Sequence, residues 1–172
     1  MNRILRTGNA RGSSIILLVI LATMLLPTSS SAFTPLELDH VVVQTSLYTK
    51  HFDPDPDHNN DQNLINVEFH NPERWLVGGA WFKNSYDQPS WYVFVGREFP
   101  LWQPHEHFEL RAKLTGGFLH GYDGEHQDDI PFNSTGTAPV ILPSLGARIG
   151  PVESDVVLFG TAGLMVTTGL RF

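Results

Sequence analysis

From Leu164 to the C-terminus the chain alternates: Leu164, Val166, Thr168, Leu170 and Phe172 fall on one face, and Met165, Thr167, Gly169 and Arg171 on the other. A period of two is the signature of a strand. Working back toward the N-terminus, the same pattern, bounded by Asn/Asp/Pro/Gly-rich turns, predicts strands near 41–49, 63–69, 74–83, 90–97, 106–118, 139–149, 151–159 and 162–172. Eight strands make an all-β chain. No internal repeat or linker interrupts them apart from an acidic run near Asp53.

The first residues follow a different pattern. Arg3, Arg6 and Arg11 precede an uncharged run from Ile15 to Leu26, which ends on Pro27 and the small residues Ser29, Ser30, Ser31 and Ala32. A helix needs about 20 apolar residues to cross a bilayer, so this run is too short, whereas charged flank, short apolar core and Ser-x-Ala are what a signal peptidase reads. The expectation is a signal peptide over 1–32, cleaved before Phe33, and a single domain over 33–172.

Composition narrows the class. The 172 residues carry 11 Lys and Arg against 18 Asp and Glu, and removing a leader that holds three arginines and no acid makes the mature chain more acidic still. Nucleic acid is excluded as an expected partner on charge. The cysteine count is zero, so an exported domain of this size has to be held together without disulfides. Two architectures remain, a periplasmic sandwich and an outer-membrane barrel. Trp75, Trp81, Tyr86, Trp91, Tyr92 and Trp102 lie near strand ends, and the chain stops on Phe172. Aromatic girdles and a terminal aromatic favour an eight-stranded antiparallel transmembrane β-barrel, whose closed sheet satisfies every backbone amide without water.

A barrel that starts in the periplasm sends its odd-numbered strands outward. Strand one then ends at His51 and strand three at Asn84-Ser85, which brings a histidine and a serine to the outer rim. Acyl chemistry needs a hydroxyl and a base to take its proton, and imidazole suits that task near neutrality. The plainer reading makes Asn84-Ser85 turn chemistry and His51 a polar strand end.

A resemblance adds to this. The stretch Gly79-Ala80-Trp81-Phe82-Lys83-Asn84-Ser85, followed by Tyr86-Asp87-Gln88-Pro89, resembles the Phe-Lys-Asp-Ser segment of the PagP family of outer-membrane lipid A palmitoyltransferases. The segment from Ala138 to Val152 is similar to that family's proline-interrupted strand pair, and Arg171-Phe172 to its ending. The likeness runs in order from Val41 to Phe172 and is nearest to the pseudomonad-type branch, where Asn-Ser replaces Asp-Ser. It implies transfer of palmitate from the sn-1 position of a glycerophospholipid donor to lipid A as acceptor, by a monomer in outer-membrane lipid, with no cofactor. By matching position it assigns Ser85 as the family serine, Asn84 as its acidic neighbour and His51 as the histidine after the first strand. His58 competes with His51, because the first loop is shorter here. An asparagine cannot be an anionic orienter, so Asn84 is expected to hold His51 or the acyl carbonyl by hydrogen bonds.

The resemblance also places Gly96 at the floor of an acyl pocket, on the strand after the serine. From Ser90 to Gly96 a strand tilted by about 40° descends roughly 15 Å, the length scale of a long acyl chain. A strand glycine equally marks a bulge or a close approach. Pro139 and Pro143, with Pro151, remove ladder donors, so missing hydrogen bonds are expected around strands six and seven. In the family such gaps admit lipid sideways. Prolines at turns or barrel ends are the commoner use.

Other features carry less. Asp53, Asp55, Asp57 and Asp61 begin like a calcium loop, but Pro54 and Pro56 interrupt it, His58 replaces the turn glycine and Leu64 the closing glutamate. The run reads as an acidic surface loop suited to the cations that bridge lipid A phosphates. His105 and His107 share a face, a weak zinc signal, and no metal is assigned. Asn133-Ser134-Thr135 is a glycosylation sequon in letters only. Two alternatives to acyl transfer stay open: an outer-membrane lipid hydrolase, and a non-enzymatic adhesion or structural barrel.

Overall fold

A computed structural model of the chain describes residues 37–53, 59, 63–133 and 135–172. The leader over 1–32 and most of the acidic run, with His58, lie outside the described residues. The strands are β1 (His40–His51), β2 (Leu64–His70), β3 (Trp75–Lys83), β4 (Pro89–His105), β5 (Phe108–His120), β6 (Thr137–Ile149), β7 (Val152–Leu158) and β8 (Gly163–Arg171), with one 3-10 turn, Gly124–Asp129, before β6. Each pairs antiparallel with its neighbours in sequence, and β1 pairs with β8, so the sheet closes into a barrel.

Alternation sorts the side chains. Val43, Ile65, Val77, Val95, Phe118, Ile141, Val156 and Leu170, one from each strand, point outward and are exposed. An apolar belt on every strand is far larger than a soluble surface tolerates, whereas a closed barrel turns such a belt toward lipid. This is the surface of a membrane-spanning barrel. Its ends differ: the connections 71–74, 106–107 and 150–151 are tight, and those over 52–63, 84–88, 121–136 and 159–162 are mostly longer. In outer-membrane barrels the longer loops face outward, which makes the end carrying His51 the outer rim.

The lumen is divided. Toward the inner rim Arg111 is buried among Glu98 at 2.7 Å, Glu153 at 2.6 Å and Asp155 at 3.1 Å. Lys113 lies between Glu68 at 2.8 Å and Asp155 at 3.5 Å, and Gln44 donates to Asp155 across 2.7 Å. Toward the outer rim Leu64, Leu76, Ala80, Tyr92, Phe94 and Met165 pack into one apolar cluster. Tyr92, expected in the aromatic girdle, points into this lumen instead, where its hydroxyl donates to Thr115 Oγ1 at 3.2 Å.

Two strands depart from expectation. β4 was expected to stop near 97 and continues to His105, through Pro100 and Pro104, because its pairing with β3 ends at Arg97↔Trp75 while its pairing with β5 runs on. Glu98 N–H donates toward Arg74 on the β3 side, so the next even-numbered nitrogen, that of Pro100, falls on the open edge, where a missing donor costs nothing. Pro139 and Pro143 sit inside β6. The β5–β6 register runs unbroken past both, while β6 pairs with β7 only from Ser144↔Val157 to Ile149↔Val152. The outer half of β6 therefore has an open edge toward β7, and Pro151 lies in the tight turn between the two strands.

Candidate active site at the outer rim

β1 does not deliver His51 by simple alternation. Val41, Val43 and Thr45 face outward, and by parity His51 would follow them into the lipid. A bulge between Ser46 and Tyr48 on the β8 side leaves Leu47 as an extra residue and turns Thr49 and His51 inward. A bulge of this kind re-aims every side chain beyond it. His51 Nε2 then lies 2.7 Å from Ser85 Oγ. Ser85 is 9% exposed, at the start of the turn that follows β3.

Asn84 builds that turn. Its Oδ1 accepts from Tyr86 N–H at 2.9 Å and Gln88 N–H at 3.0 Å, while its Nδ2 donates to Gln88 Oε1 at 3.0 Å and to the Gly121 carbonyl at 2.8 Å. Asn84 is completely buried. The expectation that it would hold His51 is corrected: both amide hydrogens and the amide oxygen are engaged within its own loop and with Gly121. A carboxylate cannot make the two donated bonds, which is a local reason for asparagine at this position.

The loops carrying the pair lean on one another. Asn59 N–H donates to the Ser85 carbonyl at 2.6 Å, and Gln88 Nε2 to the Asp123 carbonyl at 3.3 Å. Tyr86 stacks on His126 with centroids 3.5 Å apart and meets Tyr122 edge-on. From sequence Tyr86 and Gln88 are named only as a strand-end aromatic and as part of the motif segment, and Asn59, Tyr122, Asp123 and His126 are not singled out. Gln88, four residues beyond Asn84 and within its turn, was the one local signal.

Beneath the pair lies the apolar cluster, and beneath that the seam with the ion network. Gly96 sits on the seam, facing inward between Phe94 and Glu98. A Cβ there would stand 2.7 Å from the Leu114 carbonyl and 2.8 Å from Thr115 Cγ2, so glycine answers a close approach of β5. The outer half of β6, with Pro139 and Pro143, forms the open edge beside Val140 and Leu142, which pack against the cluster. Among the described residues no group of three or more His, Asp or Glu is arranged to hold a metal.

No protein-family model matches the chain, and no curated protein matches it. Among solved structures it is similar to Ail, the attachment invasion locus protein of Yersinia pestis, described in complex with the heparin analogue sucrose octasulfate. That likeness has 15% identity and a TM-score of 0.36, over 77% of this chain and 96% of that one.

Proposed function

We propose that the protein transfers a palmitoyl chain from the sn-1 position of a glycerophospholipid to a hydroxyl of lipid A at the outer leaflet of the outer membrane. The observation that carries the reading is the hydrogen-bonded pair of His51 and Ser85 at the rim of a barrel whose lumen directly below is apolar. An imidazole nitrogen 2.7 Å from a hydroxyl is placed to move protons during ester exchange. His51 takes a hydroxyl proton as the new ester C–O bond forms, and a proton returns to the sn-1 oxygen as the donor ester bond breaks. One ester replaces another and no cofactor is consumed.

The apolar lining of the outer lumen suits a long apolar chain. Leu76 and Met165 are almost fully buried, so a chain enters only as these side chains part, and an unbranched methionine yields most readily. The open outer edge of β6 is a break in the wall at the same height as the cluster, through which a lipid tail can pass from the membrane.

The test is mass spectrometry of lipid A from cells carrying the wild type, Ser85→Ala or His51→Ala. The reading expects a palmitoyl increment that both substitutions abolish in folded barrels. Release of free palmitate without acylated lipid A would identify a hydrolase, and unchanged lipids would identify a non-enzymatic barrel.

A further inference from the structure

We propose that the lipid-facing surface of β3 and β4 seats one phospholipid of the inner leaflet, its phosphate on Arg97 and one acyl chain running into a notch between Trp81 and Trp91. This site is on the outside of the barrel and does not rest on acyl transfer.

Among the described residues Arg97 stands apart from the other arginines. Arg74, Arg111, Arg148 and Arg171 each face a carboxylate within 4.0 Å. Arg97 has no carboxylate or carbonyl acceptor among the described residues, and its buried Nε lacks a hydrogen-bond partner. Its guanidinium lies instead over Trp75, 5.3 Å from the ring centroid, and 5.7 Å from that of Phe99. Two rings fix the position of the fork and leave its hydrogens without an anion, an arrangement suited to a bidentate phosphate. Trp75 opens β3 directly after the tight turn 71–74 and pairs with Arg97, which places both at the inner interface, where phospholipid headgroups lie.

Above Arg97 the same face is apolar. Val77 and Val95 form the next outward pair, and then comes Gly79, opposite Val93. A Cβ on Gly79 would meet nothing nearer than 3.8 Å, so close packing does not demand glycine there, unlike Gly96. Its lack of a side chain opens an apolar notch of about 260 Å³ walled by Trp81 and Trp91. Four residues of strand separate the near edge of the notch from Arg97, about 13 Å along the tilted strand and about 10 Å along the bilayer normal, within the half-thickness of a bilayer core about 30 Å across. A single-leaflet lipid spans that distance, and its phosphate supplies the anion that Arg97 lacks.

The test is native mass spectrometry of the folded barrel released from micelles containing phosphatidylethanolamine. The wild type should retain one lipid. Arg97→Gln should cut retention about tenfold or more, as expected for losing a charge-assisted hydrogen-bonded pair. Gly79→Val, which fills the notch without touching the headgroup, should cut it several-fold, and Lys83→Gln at the opposite rim should change nothing. Unchanged retention in Arg97→Gln overturns the headgroup seat, and unchanged retention in Gly79→Val overturns the chain seat. Displacement of the lipid by inorganic phosphate alone would show an anion site that does not select lipid.

Discussion

The two halves of the lumen are built from the same alternating strands and solve burial in opposite ways. The inner half locks charges into a network in which Arg111 serves three buried carboxylates, and removing Arg111 leaves Glu153 without an ion-pair partner among the described residues. The outer half packs Leu, Ala, Phe, Tyr and Met by apolar contact, with the Tyr92 hydroxyl bonded to Thr115 as a polar anchor, and such contacts can be exchanged for those of a lipid chain without leaving a charge behind. The difference shows where the barrel can open: only the apolar half lies under the His51–Ser85 pair, and only there does β6 lack its β7 partner.

The sharpest break in this comparison comes from the outer half. Ser85→Ala and His51→Ala should each lower palmitoyl transfer by roughly two to four orders of magnitude, as loss of a positioned proton carrier does. Transfer from a radiolabelled donor in detergent checks it, with heat-modifiable migration showing that the variants still fold.

For the inner half the expected effect is on stability. Arg111→Ala leaves Glu153 without an ion-pair partner among the described residues and takes one each from Glu98 and Asp155, and should destabilise the barrel by about 3–5 kcal/mol, read as a lower urea midpoint for unfolding in lipid vesicles. An unchanged midpoint would show that the network does not lock the inner half of the barrel.

Smaller, and back at the rim, Asn84→Asp loses two donated hydrogen bonds and buries a carboxylate against the Gly121 carbonyl. A loss of about 1–3 kcal/mol in local stability follows, together with reduced transfer. Wild-type rates in this variant would detach the turn from the site.

Ala80 offers a finer probe of the apolar half than Gly96, because any side chain at Gly96 collides with the β5 backbone. Ala80→Leu adds bulk within the cluster, and overpacking costs about 1–3 kcal/mol, so donors with shorter chains should gain relative to palmitoyl. Acyl-chain masses on lipid A from a mixed phospholipid pool measure the shift. Least of all should Lys83→Gln matter: its pair with Asp87 is exposed, and such pairs are worth about 0–1 kcal/mol.

Much of this was readable from the chain. Period-two alternation marked all eight strands, because a residue in a barrel wall meets either lipid or lumen and its chemistry reports which. The meeting of His51 with Ser85 followed from counting strands, since odd-numbered strands of an up-and-down barrel end at one rim. Local pattern did not reveal the bulge at Ser46–Tyr48, which is an extra residue opposite β8 and exists only once the two ends of the chain are paired. The length of β4 was hidden for a similar reason: whether a proline stops a strand depends on which neighbour its nitrogen faces, and that is a property of the closed sheet. From sequence Asn84 reads as a hydrogen-bonding partner of His51 or of the acyl carbonyl, and its role in the turn depends on Gly121, a residue 37 positions away. Strand count, the sorting of faces and the identity of the residues that arrive at the outer rim are written in the order of residues. Which way His51 points, what Asn84 holds and where the wall stays open come from the closed barrel, because each is set by register between strands and not by the order of residues within one.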